Sequence, residues 1–263
     1  MKKRTPHKSR IALIIVLSIL GVLILAGAGF YIWTTTPLPA MPEAISAMQT
    51  DKLVDVTTTH GWLVFSPKLA IQTLNPAALS TGYIFYPGAR VDYRAYAPAA
   101  REIAARGYLV VIVPMPLNLA IFGAEKASDV IAFFPKVQHW AIGGHSLGGA
   151  MAAQYAAAHP GVIQGLIFWA AYPASDNNLS KTSLKVVSIS GSSDGLATPE
   201  KIQSSASLLP PSTTWVVIQG GNHAQFGWYG DQPGDQTATT SRQVQTNVIV
   251  QSTVNGLSAL IQK

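Results

Sequence analysis

The sequence predicts an α/β domain with helices on both faces of a mainly parallel central sheet, preceded by one transmembrane helix. Strand-like and helix-like segments alternate from about residue 52, as they do in parallel βαβ units. The run YLVVIV at Tyr108–Val113 is typical of a strand buried on both faces. The run Ile11–Trp33 carries no charged side chain and is long enough to cross a bilayer as a helix.

Each element of the domain is predicted from local patterning. The strands are expected, in chain order, at Val54–Thr57, Trp62–Phe65, Tyr83–Tyr86, Tyr108–Val113, His139–Ile142, Gly165–Trp169, Lys185–Ser190 and Trp215–Ile218. The first two strands flank a glycine-containing turn and are expected to pair antiparallel. The helices are expected at Tyr96–Arg106, Glu125–Phe134, Leu147–Ala158, Pro199–Ser207 and Ser241–Ile261. Crossovers between parallel strands are expected to be right-handed.

The positive charge of the chain is concentrated at its N-terminus. The formal net charge is +6, from 18 Lys and Arg against 12 Asp and Glu. Five of the basic residues precede the apolar run, namely Lys2, Lys3, Arg4, Lys8 and Arg10. The rest of the chain is therefore nearly neutral, whereas a nucleic-acid binder carries its basic excess on the folded domain. We expect no nucleic-acid partner.

The position of these charges predicts the topology. Basic residues before a transmembrane helix stay in the cytoplasm, so we expect a single-pass protein of the cell membrane with its domain outside the cytoplasm. The predicted order is a cytoplasmic basic tail (1–10), a transmembrane signal anchor (11–33), a linker (34–51) and a catalytic domain (52–263). The three prolines of Thr34–Pro42 favour an extended spacer. Alternatively, Ala26-Gly27-Ala28 resembles a cleavage site, and the domain is secreted.

A Gly-x-Ser-x-Gly motif carries the chemistry. Ser146 lies between Gly144 and Gly148, after a strand-like run and before a helix-like run. A tight strand-to-helix turn of this kind presents a serine hydroxyl as a nucleophile, and the residues beside it must be small. The chain has no cysteine, which excludes a thiol nucleophile, disulfides and cysteine-bound zinc.

A nucleophilic serine needs a histidine base, and the base needs an acid that orients it. On this kind of fold, the acid and then the histidine follow the serine in the chain. His223, after the last predicted strand, is the candidate base, because the other histidines precede Ser146, adjoin it or end a helix. Asp194, directly after a strand, is the favoured acid, with Asp176 as the alternative. Glu200 lies in the first turn of a helix, where a carboxylate favours the helix dipole.

An oxyanion site requires two N–H donors. One donor is expected from Leu147, the residue after the nucleophile, and the other from the loop after an earlier strand. In that loop either Gly88 or Ala89 qualifies, and Ala89 is favoured. Six aromatic residues are expected around the site, either as an acyl pocket or as core: Tyr86, Phe122, Trp169, Tyr172, Phe226 and Trp228.

Five segments together resemble the α/β-hydrolase family, in particular its compact members similar to dienelactone hydrolase. They read FYPGARVDYRAYAP, GYLVVIVPMPLNLAIFG, IGGHSLGG, SGSSDGLATPEKI and GGNHAQFGWYG, and the similarity extends over residues 54–263. The resemblance implies a Ser146–Asp194–His223 triad, oxyanion donors at Ala89 and Leu147, and a minimal lid. Dienelactone hydrolases themselves use a cysteine nucleophile, so their substrate is not implied.

The expected function is hydrolysis of a small-molecule carboxylic ester through an acyl-enzyme, with no metal or organic cofactor. Two alternatives stay open. The same triad serves peptidases, thioesterases and acyltransferases, and a membrane-anchored chain can also keep such a fold as a non-catalytic binding module. The sequence leaves the substrate and the oligomeric state open.

Overall fold

The computed structural model describes residues 7–68, 71 and 80–261. Its centre is one eight-stranded sheet with the strand order β1-β2-β4-β3-β5-β6-β7-β8. The strands are β1 (Val54–Thr59), β2 (Trp62–Pro67), β3 (Thr81–Tyr86), β4 (Leu109–Ile112), β5 (His139–His145), β6 (Gly165–Trp169), β7 (Lys185–Gly191) and β8 (Thr214–Ile218). The strands from β4 to β8 pair in parallel, whereas β2 pairs antiparallel with both β1 and β4. The predicted sheet, including its antiparallel start, is confirmed.

The strand order determines where a site can form. Strand β3 lies between β4 and β5. After β3 the chain first adds β4 on one side of this strand and then crosses back to add β5 on the other side. In open α/β sheets, the loops at the carboxyl ends of strands beside such a switch point border a crevice in which ligands bind. The loops after β3 and β5, at residues 87–90 and at Ser146, therefore face the same crevice.

Helices cover both faces of the sheet, as the sequence predicts. They are α1 (His7–Thr35), α2 (Pro42–Ser46), α3 (Ala97–Ala104), α4 (Lys126–Phe133), α5 (Leu147–Ala158), α6 (Pro199–Ser204) and α7 (Arg242–Ser258). Helix α5 has its predicted bounds, and the other predicted helices of the domain are shorter by one or more residues at their ends. Such differences are usual because helix ends fray.

The core lies in two layers, one on each face of the sheet. In β3, Tyr83 and Phe85 belong to one layer, and Ile84 and Tyr86 belong to the other. Adjacent side chains of a strand point to opposite faces, so a central strand that is buried on both faces is apolar throughout. This explains why the predicted central strands are continuous apolar runs.

Helix α1 is long and apolar enough to cross a membrane. The most apolar 18-residue window of Ile11–Thr35 has a mean hydropathy of 3.0, and this window is not buried in the protein. A signal sequence near an N-terminus has the same length and composition.

The segment that was expected to be an extended spacer packs against the domain instead. Leu38 forms a parallel bridge with Val91, and the Met41 N–H donates to Trp228 O at 2.8 Å. The short helix α2 follows, and its Ala44 is fully buried. The prolines restrict the backbone as predicted, but the apolar side chains and free backbone groups between them find partners on the domain.

Candidate active site

Ser146 occupies a strained turn between β5 and α5. Its backbone angles are φ 53° and ψ −123°, in a region that side chains other than glycine rarely adopt. The Ser146 N–H donates to Trp169 O at 3.0 Å, which ties the turn to strand β6. A non-glycine residue held in such a conformation is a common feature of functional sites, and this is the turn that the motif predicts.

The two glycines of the motif allow this turn to lie directly against the end of β3. A Cβ atom on Gly148 would overlap the carbonyl oxygens of Tyr86 and Pro87, and one on Gly144 would overlap Tyr86 O. Any larger residue would therefore separate the turn from the loop that follows β3. The requirement for small residues has its physical origin in this backbone-to-backbone contact.

His223 and Asp194 form a buried pair at the carboxyl edge of the sheet. His223 Nδ1 lies 2.9 Å and 3.1 Å from the two carboxylate oxygens of Asp194, and each residue is 1% exposed. One of these oxygens also accepts the N–H groups of Leu196 and Ala197 at 2.8 Å and 2.7 Å. Because the carboxylate is an acceptor, Nδ1 carries the hydrogen, which leaves Nε2 with a free lone pair.

A free ring nitrogen and a neighbouring histidine characterise this pair. His223 Nε2 is buried and has no hydrogen-bond partner among the described residues. The His223 ring lies 4.4 Å from the ring of His145, the residue directly before Ser146. His223 is therefore beside the turn that carries the serine, with an unused acceptor atom.

The other candidate acids lie elsewhere. Asp176 is exposed, and the carboxylate that contacts His223 is that of Asp194. Glu200 is in the first turn of α6, where a hydrogen bond with the Thr198 side chain lowers its pKa. This agrees with the expected role of Glu200 at a helix N-terminus.

In the loop after β3, the N–H groups of Gly88 and Arg90 are in use and that of Ala89 is free. The Gly88 N–H donates to the Tyr96 hydroxyl oxygen at 3.0 Å, and this hydroxyl lies 2.9 Å from His145 Nδ1. Among the described residues, none accepts a hydrogen bond from the Ala89 N–H. Leu147 is the first residue of α5, so its N–H has no acceptor four residues earlier within the helix. Ala89 and Leu147 thus have backbone donors available, whereas Gly88 does not.

His145 is a structural histidine that sequence reasoning did not recognise. It is fully buried, and burial holds its pKa well below the usual range, with a further contribution from His223. Because the Tyr96 oxygen accepts the Gly88 N–H, its own hydrogen can point to His145 Nδ1, and we assign the neutral Nε2–H tautomer on this basis. A neutral His145 places no positive charge beside His223.

A cavity of about 320 Å³ opens at Ser146. Its lining is mostly small or apolar, and it consists of Ser146, Leu147, Ala150, Ala170, Ala171, Tyr172, Ala174, Leu196 and Ala197. Of the six aromatic residues expected around the site, only Tyr172 lines this cavity. Tyr86, Trp169 and Phe226 are buried in the core, so for these three residues the core alternative is the correct one. Large aromatic side chains of this kind fill the space between the sheet and the helices.

Helix α7 holds the loop that carries His223, and no sequence motif indicated this. Gln245 is fully buried, and its side-chain amide makes two hydrogen bonds with the backbone of Asn222. Gln245 Oε1 accepts the Asn222 N–H at 3.1 Å, and Gln245 Nε2 donates to Asn222 O at 2.8 Å. The Arg242 guanidinium donates to the carbonyl oxygens of Ala224 and Gly227. A polar residue on the inner face of an otherwise unremarkable helix is the only signal in the sequence.

Comparison with known proteins gives the same family as the fold and the motif. Residues 82–247 match the family model described as the alpha/beta hydrolase family. This match covers more than half of the chain, and the chain therefore belongs to the alpha/beta hydrolase family. A search of the curated proteins finds no match to this sequence.

Solved structures share the fold at low sequence identity. A protein of Thermoplasma acidophilum described as a predicted CIB-like hydrolase has a TM-score of 0.54 at 15% identity, over 77% of this chain and 97% of its own. A thermophilic esterase from the Planctomycetes species Thermogutta terrifontis has a TM-score of 0.54 at 14% identity, over 80% and 94%. Esterase 2 of the same species, phosphorylated by paraoxon, has a TM-score of 0.53 at 12% identity, over 75% and 92%. At these identities the similarity establishes the fold alone.

The buried, neutral state of His145 predicts a pH dependence of stability. The pKa of His145 in the folded protein lies below its ordinary value of 6.5, so below about pH 6.5 the unfolded chain binds a proton that the folded chain does not. The free energy of unfolding should therefore decrease as the pH falls from 6.5 towards the folded pKa, by up to about 1.4 kcal/mol per pH unit. Urea unfolding at a series of pH values measures this slope.

The control for this measurement is His145→Gln, which keeps a polar side chain and does not titrate. The difference in unfolding free energy between wild type and variant should shrink as the pH falls from 7 to 5, because only the wild type has the His145 contribution. A difference that is constant over this range would contradict the assignment of a neutral, buried His145.

Proposed function

We propose that this protein is a membrane-anchored serine hydrolase that cleaves a carboxylic ester through an acyl-enzyme, with Ser146, His223 and Asp194 as its catalytic triad. One observation carries the proposal. A buried His–Asp pair with a free Nε2 lies beside a turn that holds a serine at positive φ. A buried polar pair of this kind needs a reason, and a serine with a base is the arrangement that nucleophilic catalysis requires.

In the first half of the reaction, Ser146 Oγ attacks the carbonyl carbon of the ester while His223 Nε2 takes the hydroxyl proton. The carbonyl oxygen becomes an oxyanion, which the N–H groups of Ala89 and Leu147 stabilise. Asp194 fixes the tautomer of His223 and stabilises the imidazolium without taking its proton. The carbon–oxygen bond to the alcohol then breaks, and the alcohol leaves with the proton from Nε2.

In the second half, water takes the place of the alcohol. His223 Nε2 accepts a proton from the water as its oxygen attacks the acyl carbon of the acyl-enzyme, and the same two N–H groups hold the second oxyanion. The bond to Ser146 Oγ then breaks, the proton returns to this oxygen, and the carboxylic acid leaves.

One observation favours an ester over an amide or a thioester as the substrate. Solved structures of the same fold include an esterase, which in one structure is phosphorylated by paraoxon. The cavity at Ser146 is small and mostly apolar, which suits the acyl group of any of the three substrates. The sequence also leaves four alternatives: a peptidase, a thioesterase, an acyltransferase and a non-catalytic binding module. Assays with amide, thioester and ester substrates, and with an alcohol as the acceptor in place of water, distinguish these from an esterase.

The membrane part of the proposal rests on α1 and on charge. The helix can span a bilayer by length and composition, and basic residues precede it. The positive-inside tendency then leaves the N-terminus in the cytoplasm and the triad outside it. Cleavage after the Ala26-Gly27-Ala28 segment would release the same domain outside the cell.

Replacing Ser146 tests the proposal. Ser146→Ala removes the nucleophile, so hydrolysis of a short p-nitrophenyl ester should fall by at least about 10⁴-fold in kcat/KM. Release of p-nitrophenolate by the purified full-length protein in detergent measures this rate. Equal rates for the wild type and the variant would contradict the proposed function.

A matched pair of carboxylates serves as the control for the acid. Asp194→Asn should lower kcat by roughly 10³- to 10⁴-fold, because the amide favours the wrong tautomer of His223. Asp176→Asn removes the same charge from an exposed position and should leave kcat within about twofold, as surface substitutions usually do. The reverse ranking would make Asp176 the acid.

A further inference from the structure

The carboxyl end of α1 is fixed to the loops beside the candidate site. The Arg90 guanidinium donates to Trp33 O at 2.6 Å and to Thr36 O at 2.8 Å, and it lies 4.4 Å above the Trp33 ring. Asn118 Nδ2 donates to Thr34 O at 2.9 Å. The last carbonyl groups of a helix have no partner within it, and here the domain supplies these partners. The helix is therefore joined to the domain at a defined place.

The loop that receives the helix end carries two exposed apolar side chains. Ile121 is 51% exposed and Phe122 is 50% exposed, three and four residues after Asn118. Consecutive Cα atoms are about 3.8 Å apart, so these residues lie within about 15 Å of the Cα atom of Asn118. We call residues 115–123 the helix-end loop.

If α1 spans the bilayer, this loop lies beside the level at which the helix leaves the membrane, because Asn118 binds the end of α1. The polar zone on each side of the hydrocarbon core is about 5–8 Å thick, and aromatic residues such as Tyr31 and Trp33, both exposed, mark its level on a spanning helix. Phenylalanine and isoleucine beside that level gain free energy by entering the boundary between headgroups and acyl chains. The exposure of Ile121 and Phe122 is then an exposure to lipid rather than to water.

The same loop adjoins the candidate site. Arg90, which holds the helix end, directly follows Ala89, and its own N–H donates to Asn118 O at 2.8 Å. Ala120 of the helix-end loop is buried in the core layer against which Leu147 packs. A substrate in the outer leaflet would therefore lie near the crevice that contains Ser146.

We propose that the helix-end loop rests on the lipid surface and that the enzyme takes an acyl ester that resides in the membrane. This inference rests on the proposed function for its substrate and on α1 for its geometry. The partner of the surface is the bilayer itself, because the exposed apolar pair is in the loop that binds the end of α1, the one helix among the described residues that is long and apolar enough to cross a membrane.

Site-specific fluorescence tests the docking without any assay of activity. The chain has no cysteine, so Phe122→Cys gives a single attachment point for an environment-sensitive dye in the full-length protein. The protein is reconstituted in vesicles of phosphatidylcholine and phosphatidylglycerol. Val217→Cys, 53% exposed on the edge strand β8, is the matched control.

A dye at position 122 should be quenched by lipids with a spin label near the headgroup and protected from iodide, and a dye at position 217 should show the reverse. Equal access of iodide to both dyes would overturn the docking, because the loop would then be exposed to water.

Kinetics test the substrate class. The double variant Ile121→Ser, Phe122→Ser should hydrolyse soluble p-nitrophenyl acetate at the wild-type rate and p-nitrophenyl palmitate in the same vesicles about tenfold more slowly. Val217→Ser should match the wild type on both substrates. Equal rates of the double variant and the wild type on the vesicle substrate would overturn the proposal. If the wild type hydrolyses neither ester, the proposed function fails, while the quenching result still decides the docking.

A different observation concerns Asp235, which joins the loops of the acid and the base. Its carboxylate accepts the Gly195 N–H at 3.0 Å and the Ala224 N–H at 2.8 Å. Gly195 directly follows Asp194, and Ala224 directly follows His223. One side chain thus binds the residue after each member of the buried pair.

The packing at this point leaves little freedom for another arrangement. A Cβ atom on Gly195 would lie 2.6 Å from Gly234 O and 3.0 Å from the Asp235 Cα atom. The two loops are also joined before the pair, where the Ser193 N–H donates to Gly221 O at 2.8 Å. The Asp235 carboxylate closes the side after the pair, so contacts on both sides hold His223 Nδ1 against Asp194.

We infer that Asp235 is a positioning residue that keeps His223 and Asp194 in contact during the proposed reaction. Loss of both hydrogen bonds lets the two loops separate, and a displacement of about 1 Å at a catalytic group can reduce turnover roughly 100-fold. The inference depends on the proposed triad, so the wild type must first be shown to be active.

The test compares Asp235→Ala, Asp235→Asn and the control Asp231→Asn, which removes an exposed charge from the same segment. Asp235→Ala should lower kcat on p-nitrophenyl acetate by about 10- to 100-fold with little change in KM. It should also weaken the low-field proton NMR signal of His223 Nδ1–H. Asp235→Asn retains one acceptor oxygen and should recover part of the activity.

Asp231→Asn should behave like the wild type. An Asp235→Ala variant that is less stable but keeps wild-type kcat and the low-field signal would overturn the inference, because Asp235 would then have a structural role only.

Discussion

The close contact between the turn at Ser146 and the end of strand β3 is the constraint on which the rest of the site depends. The absence of side chains at Gly144 and Gly148 lets the turn touch Tyr86 O. This contact brings the serine beside the loop that contains Ala89, so the serine hydroxyl and two free backbone donors can meet the same carbonyl group. A side chain at either glycine would widen the gap and separate these parts. The strained φ of Ser146 is maintained because strands on both sides fix the turn.

Several polar side chains around this turn bind the loops that carry the candidate residues. Tyr96 links the Gly88 N–H to His145, which leaves the Ala89 N–H as the available donor of that loop. Burial lowers the pKa of His145 and so keeps it neutral. Gln245, Arg242 and Asp235 bind the backbone of the loop that carries His223. An unsatisfied buried polar group costs about 1–3 kcal/mol. His145 Nε2 and His223 Nε2 are both buried beside this turn without a hydrogen-bond partner among the described residues, and the proposed chemistry passes through His223 Nε2.

The sequence predicts those parts of the protein that depend on local patterns. The order of strands and helices and the turn at Ser146 follow from periodicity and small residues. Chain order leaves both Asp194 and Asp176 as candidate acids, and the contact with His223 that favours Asp194 is seen only in the structure. The docked linker and the helix-end loop could not be predicted in this way. Ala44 is buried and Asn118 adopts a left-handed conformation because of partners far away in the chain. Gln245 and Asp235 were missed for the same reason, since their role exists only once two distant loops meet.

Chemical labelling of the full-length protein tests the central claim most directly. Paraoxon transfers its phosphoryl group to an activated serine and releases p-nitrophenolate, so it reports on the nucleophile without any assumption about the natural substrate. We expect one equivalent of p-nitrophenolate per chain, a phosphorylated peptide that contains Ser146 in mass spectrometry, and no label on Ser146→Ala. A wild-type protein that stays unlabelled, or that carries the label on a residue other than Ser146, would contradict the account.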